Sequence, residues 1–261
     1  MTIVHRLLCL LLPLLLGACS TLVPLPSATP STPISPNQAE AAWGRVLSGF
    51  VNDRGEVDFA ALSANRKDLD AYLGFVASTP AANFAAGAPQ LAHYINSYNA
   101  LSMVNVIELG IPKSNASLAA RYQFFIARKF KIGGENQSLY DYENKVIRAL
   151  GDPRVHWALN CSAVSCPVLP RVPFSADKLD DQLDAEARKF FADPRNARAD
   201  DATGEVWLSE IFKLFPEDFV PKHAPSFTHY ANRYRTQPLP TGYRIRFTPY
   251  DWTIANSQRE R

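Results

Sequence analysis

The chain is organised around one stretch, Arg154-Val155-His156-Trp157-Ala158-Leu159-Asn160-Cys161-Ser162-Ala163-Val164-Ser165-Cys166-Pro167. This apolar run contains one histidine and one asparagine, and it continues into a short loop flanked by two cysteines. Its alternating pattern predicts a strand over residues 154–161, with His156 and Asn160 on one face and Cys161 on the other. A catalytic pair of His156 and Cys161 therefore requires a bulge, or a strand that ends before Cys161.

Residues 1–18 are predicted to be a bacterial export signal. A thin basic start precedes the apolar segment from Leu7 to Leu16, which is too short to span a bilayer as a mature helix. The sequence Leu16-Gly17-Ala18-Cys19 resembles the lipobox of bacterial lipoproteins, which implies cleavage before Cys19 and a lipid on its sulfur. An ordinary signal peptide and a buried helix are the alternatives. Serine at position 20 resembles the pattern that directs lipoproteins to the outer membrane, facing the periplasm.

Residues 19–36 are predicted to be a tether and residues 37–261 a single globular domain. The tether is rich in proline, serine and threonine, a composition that favours extended chain over a packed core. Ser35 and Gln38 bracket the first predicted helix as a capping box. No linker follows residue 36, and 225 residues are enough for one well-filled core.

Composition excludes several functional classes. The formal net charge of +2 arises from 27 basic and 25 acidic residues spread along the chain, so we expect no nucleic acid partner. The sequence has no glycine-rich phosphate loop, no Gly-x-Ser-x-Gly elbow and no His-Glu-x-x-His helix, and we expect no cofactor.

Mixed helical and strand patterns predict an α+β fold, a mostly helical domain around a small mixed sheet. The strongest helix is predicted at 91–109, a hairpin at 124–139, and strands at 206–208 and 243–247. Along the strong helix, His93, Asn96 and Asn99 form a polar edge. This edge either secures a neighbouring loop or faces water, or else Asn96 or Asn99 faces the site that contains His156.

Several motifs together resemble the domain of unknown function 547 family, over about residues 43–254. They are Gly55-Glu56-Val57-Asp58-Phe59, Ile95-Asn96-Ser97-Tyr98-Asn99-Ala100, Leu139 with Glu143 and Arg148, the stretch from His156 to Pro167, Leu208-Ser209-Glu210-Ile211-Phe212 and Tyr250-Asp251-Trp252. The resemblance implies a shared fold, and the family has no established activity. The order of helix and His156-Trp157 strand also distantly resembles transglutaminase and papain-like enzymes. Asn96 or Asn99 then occupies the place of the catalytic cysteine, as in an inactive relative.

Three functions remain open from the sequence. The preferred one is a lipoprotein that binds an envelope ligand or protein partner beside a Cys161–Cys166 disulfide. The second is a cell-envelope hydrolase or acyl transferase that uses a cysteine and a histidine, and the third is a metal site of Cys161, Cys166 and His156. The candidate catalytic residues are His156, Cys161, Glu143 and Asn96, and the candidate binding residues are Tyr98, Asn99, Asn160, Asp251 and Trp252. No metal ligand is assigned.

Overall fold

The computed structural model describes residues 20–23 and 34–258, and it confirms the predicted α+β fold. Buried apolar side chains form two clusters. The first core surrounds the long central helix and includes Trp43, Ile95 and Leu101. The second core surrounds Trp157 and is rich in aromatic rings such as Phe212.

The helices account for most of the regular structure. In chain order they are α1 Pro36–Phe50, α2 Phe59–Ala64, α3 Lys67–Ser78, α4 Ala88–Glu108, α5 Leu118–Tyr122, α6 Leu139–Asp141, α7 Leu179–Ala192, α8 Ile211–Leu214 and α9 Phe227–Asn232. A π-helical turn, Gln123–Ala127, continues α5, and a second one, Tyr142–Ile147, continues α6. The predicted capping box of α1 is confirmed, because the Ser35 hydroxyl accepts from the Gln38 N–H and the Gln38 side chain accepts from the Ser35 N–H.

Helix α4, which was predicted as the strongest helix, is the centre of the fold. Every residue from Leu91 to Ile107 is buried, so protein surrounds the helix on all sides. His93, Asn96 and Asn99 therefore do not form a solvent-exposed edge, and their polar groups need partners within the protein.

Two small sheets complete the architecture. In the first, β2 (Arg128–Ile132) pairs in parallel with β1 (Thr21–Leu22) and antiparallel with β3 (Glu135–Gln137). In the second, β5 (Glu205–Ser209) pairs antiparallel with β4 (Ala197–Asp200) and in parallel with β6 (Arg244–Thr248). The predicted hairpin is thus confirmed for β2 and β3, but its first residues, 124–127, are helical.

The predicted strand over residues 154–161 is wrong. Pro153–Trp157 is a 3-10 helix, because Pro153 presets its first turn and the Asp152 carboxylate accepts from the Arg154 N–H. Within this turn Val155 packs in the first core and Trp157 packs in the second. The stretch that appeared to be a strand therefore joins the two cores.

Residues 20–23, predicted as part of the tether, lie on the domain. Leu22 and Val23 precede the first proline of the tether, so they are free to join a sheet, and Val23 is buried beside β2. The predicted signal segment, Cys19 and residues 24–33 lie outside the described residues. Within the described part of the chain, no helix is both long and apolar enough to cross a membrane.

Candidate functional site

A cavity of about 80 Å³ lies where the two cores meet. Helix α4 contributes Tyr98, the π-helical turn after α6 contributes Glu143, and the 3-10 helix contributes His156. The other walls come from the loop after Trp157, from the region of α8 and from the C-terminal segment: Phe125, Leu159, Cys161, Cys166, Pro167, Ile211, Leu214, Phe215, Tyr250 and Trp252. The cavity brings together five of the nine candidate catalytic and binding residues.

Glu143 is the carboxyl group in this cavity. The Tyr98 hydroxyl donates a 2.8 Å hydrogen bond to Glu143 Oε2. Burial raises the pKa of the Glu143 carboxyl, although His156, Tyr98 and Arg148 act in the opposite direction. Part of the Glu143 surface stays accessible, so the group is poised to exchange a proton or to accept a donor from a ligand.

Among the described residues, no hydrogen bond joins His156 to either thiol. Its Nε2 lies 2.7 Å from Asp218 Oδ2, and its ring stacks on Phe215 with a centroid distance of 4.4 Å. Burial raises the Asp218 pKa, but the hydrogen bonds from His156 and Arg148 outweigh it and hold the pKa well below its usual range. His156 is therefore fixed between the second core and a charged network at the cavity wall.

The predicted Cys161–Cys166 disulfide is wrong, because both cysteines are free thiols. Cys166 Sγ accepts from the Cys161 N–H at 3.1 Å, and the Tyr250 hydroxyl lies 3.1 Å from Cys166 Sγ and 3.4 Å from Cys161 Sγ. Burial raises the Cys166 pKa. The hydrogen bonds with the Cys161 thiol, the Tyr250 hydroxyl and the Cys161 N–H lower it by more, so the pKa lies below that of an ordinary cysteine. The neighbouring Cys166 and burial raise the Cys161 pKa. The two thiols therefore titrate as a coupled pair.

Two buried asparagines position the loop that carries the thiols. Asn99 Nδ2 donates to the Ala158 carbonyl at 3.0 Å, and Asn99 Oδ1 accepts from the Asn160 N–H at 2.8 Å. Asn160 Nδ2 donates to the Pro167 carbonyl at 2.7 Å, and Asn160 Oδ1 accepts from the Ser162 N–H at 2.7 Å. Ser162 has a φ of 63°, which is unfavourable for a residue with a side chain. The two amides hold this strained turn in place.

Asn96 and His93 lie beside a different cavity, of about 150 Å³. Asn96 donates to the Phe174 carbonyl and accepts from Trp43 Nε1 and the Phe174 N–H. His93 stacks on Phe84 at 4.2 Å, and burial lowers its pKa to about 4. Asn96 is thus separated from His156 and connects α1, α4 and the segment before α7.

Alternate residues of the C-terminal motif Tyr250-Asp251-Trp252 contribute to the cavity wall. Tyr250 and Trp252 line the cavity, while Asp251 is exposed and accepts from the Thr253 N–H. Neighbouring backbone groups pair with the thiol loop, including Val164 N–H with the Thr253 carbonyl. No group of three or more His, Cys, Asp or Glu side chains in the described part of the chain is arranged to hold a metal ion, and Cys161, Cys166 and His156 do not form one.

Sequence reasoning missed Tyr250, Asp218 and Phe215. Tyr250 could have been predicted from the sequence. Residues two apart in an extended segment share a face, so a cavity-lining Trp252 predicts that Tyr250, and not Asp251, also lines the cavity. Asp218 lies 62 positions from His156 in a polar stretch, and no local pattern connects the two.

Residues 84–191, less than half of the chain, match the family model described as "Protein of unknown function, DUF547". The match includes Glu143, His156 and both thiols, whereas Asp218 and Tyr250 lie outside it. No curated protein and no solved structure matches the chain. The resemblance seen in the sequence is confirmed for residues 84–191, and the match carries no assigned activity.

Proposed function

We propose that this protein is a lipoprotein of the bacterial cell envelope, anchored through Cys19, that binds a small ligand in the cavity between the two cores. The lipobox-like sequence from Leu16 to Cys19 supports the anchor, and serine at position 20 supports an outer-membrane location facing the periplasm. The intact mass of the processed protein tests the anchor. A first residue of unmodified Cys19, or cleavage elsewhere, contradicts it.

The observation that carries the ligand proposal is the environment of Glu143. Tyr98 is the only described residue that donates a hydrogen bond to its carboxylate. The surrounding walls are mainly apolar and aromatic, with Leu159, Phe215 and Trp252 among them. A carboxylate that is partly buried in such walls is unfavourable unless a further donor or cation satisfies it. A cavity with few polar groups among apolar walls is also the usual form of a small-molecule site.

The chemistry of the walls defines the ligand class. The ligand presents a short apolar end that carries a hydrogen-bond donor, of which a primary amine is the best match to a carboxylate flanked by aromatic rings. The volume of about 80 Å³ is roughly half of the ~150 Å³ cavity known to accept benzene, so only the end of a larger ligand enters.

Thermal unfolding in the presence of n-butylamine tests the proposal. A ligand that binds only the folded state raises the melting temperature. We expect millimolar n-butylamine to raise the melting temperature of the wild-type protein and to leave that of Glu143→Gln unchanged. The matched control is Glu135→Gln, which removes an exposed carboxylate outside the cavity and should keep the wild-type response. An equal shift for Glu143→Gln and the wild type contradicts the proposal.

Thiol-dependent acyl transfer is the second candidate function, and the hydrogen bonds that Cys166 Sγ makes with the Cys161 N–H and the Tyr250 hydroxyl favour it. A thiolate is the nucleophilic form of cysteine, and Cys166 is the member of the pair that the donors stabilise. Glu143 lies across the same cavity, whereas His156 is engaged by Asp218. The pH dependence of iodoacetamide alkylation of Cys161→Ser tests this candidate. A Cys166 that reacts with the pH profile of an ordinary cysteine rules it out.

A further inference from the structure

Exposed apolar side chains occur on the helical segment that leads into β2 and on β1, the strand that pairs with β2. Nine large hydrophobic side chains are exposed in the described part of the chain, and four of them are Leu22, Leu118, Tyr122 and Ile126. Leu118 is the most open, with 79% of its surface exposed. We call these four side chains the apolar stripe.

Three members of the stripe share one face of a continuous helical segment. Leu118, Tyr122 and Ile126 follow each other at intervals of four along α5 and its π-helical continuation, so they lie above one another. Phe124 and Ala127 lie away from this face and are buried, and Phe124 packs in the first core. The helix therefore presents an apolar face on each side, and the described residues cover only one of them.

Leu22 extends the stripe onto the first sheet. It pairs with Lys129 on β2, whose inward residues Phe130 and Ile132 are buried. Leu22 is 54% exposed, and Val23 fills the inward position. Lys131 is exposed on the outward face of the same strand, and no described residue forms an ion pair with it. The stripe is thus bordered by a free positive charge.

The direction of β1 places the N-terminal side of the chain at this stripe. Thr21 pairs with Arg128, and the two strands run in parallel, so the backbone preceding Thr21 leads toward Ala127 and Ile126. Cys19 is joined directly to Ser20, and consecutive Cα atoms are about 3.8 Å apart. Ser20, the first described residue, therefore lies close to the residues that precede Arg128, and the proposed lipid-bearing Cys19 is its direct neighbour in sequence.

We propose that the apolar stripe docks on the membrane that carries the anchor, so that the domain lies against the lipid surface instead of being held away from it. This inference rests on the proposed lipid anchor for its choice of occupant. Apolar side chains that enter the interface supply binding, and Lys131 is attracted to anionic headgroups.

Co-sedimentation of residues 20–261 with vesicles of phosphatidylethanolamine and phosphatidylglycerol tests the stripe without any anchor. This segment contains every described element and both cores. We expect the wild-type segment to bind, and Leu118→Ser/Ile126→Ser to bind at least about tenfold more weakly because two apolar side chains no longer enter the interface. The matched control Leu150→Ser/Val172→Ser removes two apolar side chains of 45% and 59% exposure elsewhere and should bind like the wild type.

Three results overturn the proposal. They are an absence of binding by the wild-type segment, equal weakening by the two double variants, and a dimer in solution that only Leu118→Ser/Ile126→Ser dissociates, which would make the stripe a self-association surface. Urea unfolding of each variant confirms that it is folded. The intact mass of the processed protein tests the Cys19 lipid separately, so failure of the anchor and failure of the stripe are distinguishable.

Discussion

Replacing Asn99 with alanine will strongly destabilise the protein, because Asn99 secures the loop that carries the thiols. Its side chain makes two hydrogen bonds with backbone groups, to the Ala158 carbonyl and from the Asn160 N–H. Asn99 is only 2% exposed, so water cannot replace the lost amide without a rearrangement. Alanine leaves one backbone acceptor and one backbone donor without their partner.

The expected loss follows from these two groups. Each buried polar group left unsatisfied costs about 1–3 kcal/mol, so the two together reduce the free energy of unfolding by about 2–6 kcal/mol. The total free energy of unfolding of a domain is about 5–15 kcal/mol, so this loss is a large share. The effect exceeds that of a typical surface substitution, which is within about 0.5 kcal/mol.

Urea unfolding followed by far-ultraviolet circular dichroism measures the change. We expect Asn99→Ala to lower the urea midpoint with little change in the slope of the transition. The control is Asn83→Ala, because Asn83 is exposed and its side chain makes no hydrogen bond with the described residues. A loss below about 1 kcal/mol, or one equal to that of Asn83→Ala, would refute the role assigned to Asn99.

Three further substitutions have defined outcomes in the same unfolding assay. Trp157→Ala removes a fully buried ring from the second core and should cost about 3–5 kcal/mol, and a loss under about 1 kcal/mol contradicts that packing. Folding raises the Glu143 pKa, so the folded state binds more protons than the unfolded state, and stability falls as pH rises above 4.5. The advantage of Glu143→Gln over the wild type should therefore grow from pH 4 to pH 7, and a constant difference contradicts this. Folding lowers the His93 pKa from 6.5 to about 4, so the wild type should lose stability as pH falls through this range, and His93→Phe should lose less. Parallel pH profiles for these two proteins would contradict the assignment.

Features with a local physical cause were predictable from the sequence. The capping box at Ser35, the apolar continuity of α4 and the turn at Gly133-Gly134 each depend on residues a few positions apart. The strand β5 was predicted for the same reason, since Val206 and Leu208 alternate with Trp207. These short-range patterns were sufficient for the fold class.

Features that depend on distant partners were not predictable. The alternation in residues 154–161 matched a strand, but Asp152 and Pro153 start a 3-10 helix that places Val155 and Trp157 in separate cores. The spacing of Cys161 and Cys166 allows a disulfide or two thiols, and the contact with Tyr250, more than 80 positions later, is invisible in the sequence. Glu143 and Tyr98 were predicted as separate candidates, and only the fold shows that they share a hydrogen bond.

The polar edge of α4 shows why the candidate site was predicted only in part. Asn96 and Asn99 are three positions apart and have similar side chains, yet Asn96 bonds to Phe174 and Asn99 bonds to the thiol loop. A fully buried helix contacts different segments on each of its faces, so helical spacing alone does not reveal which polar residue faces the cavity. That information comes from the segments packed around the helix.

The central claim is that the cavity beside Glu143 binds the amine-bearing end of a ligand. The most direct test is the rate at which iodoacetamide alkylates Cys161, a partly exposed thiol that lines this cavity, with and without n-butylamine. The account predicts that n-butylamine slows alkylation of the wild-type protein and has no effect on Glu143→Gln. An unchanged rate in the wild type, or equal protection in both proteins, would contradict the claim.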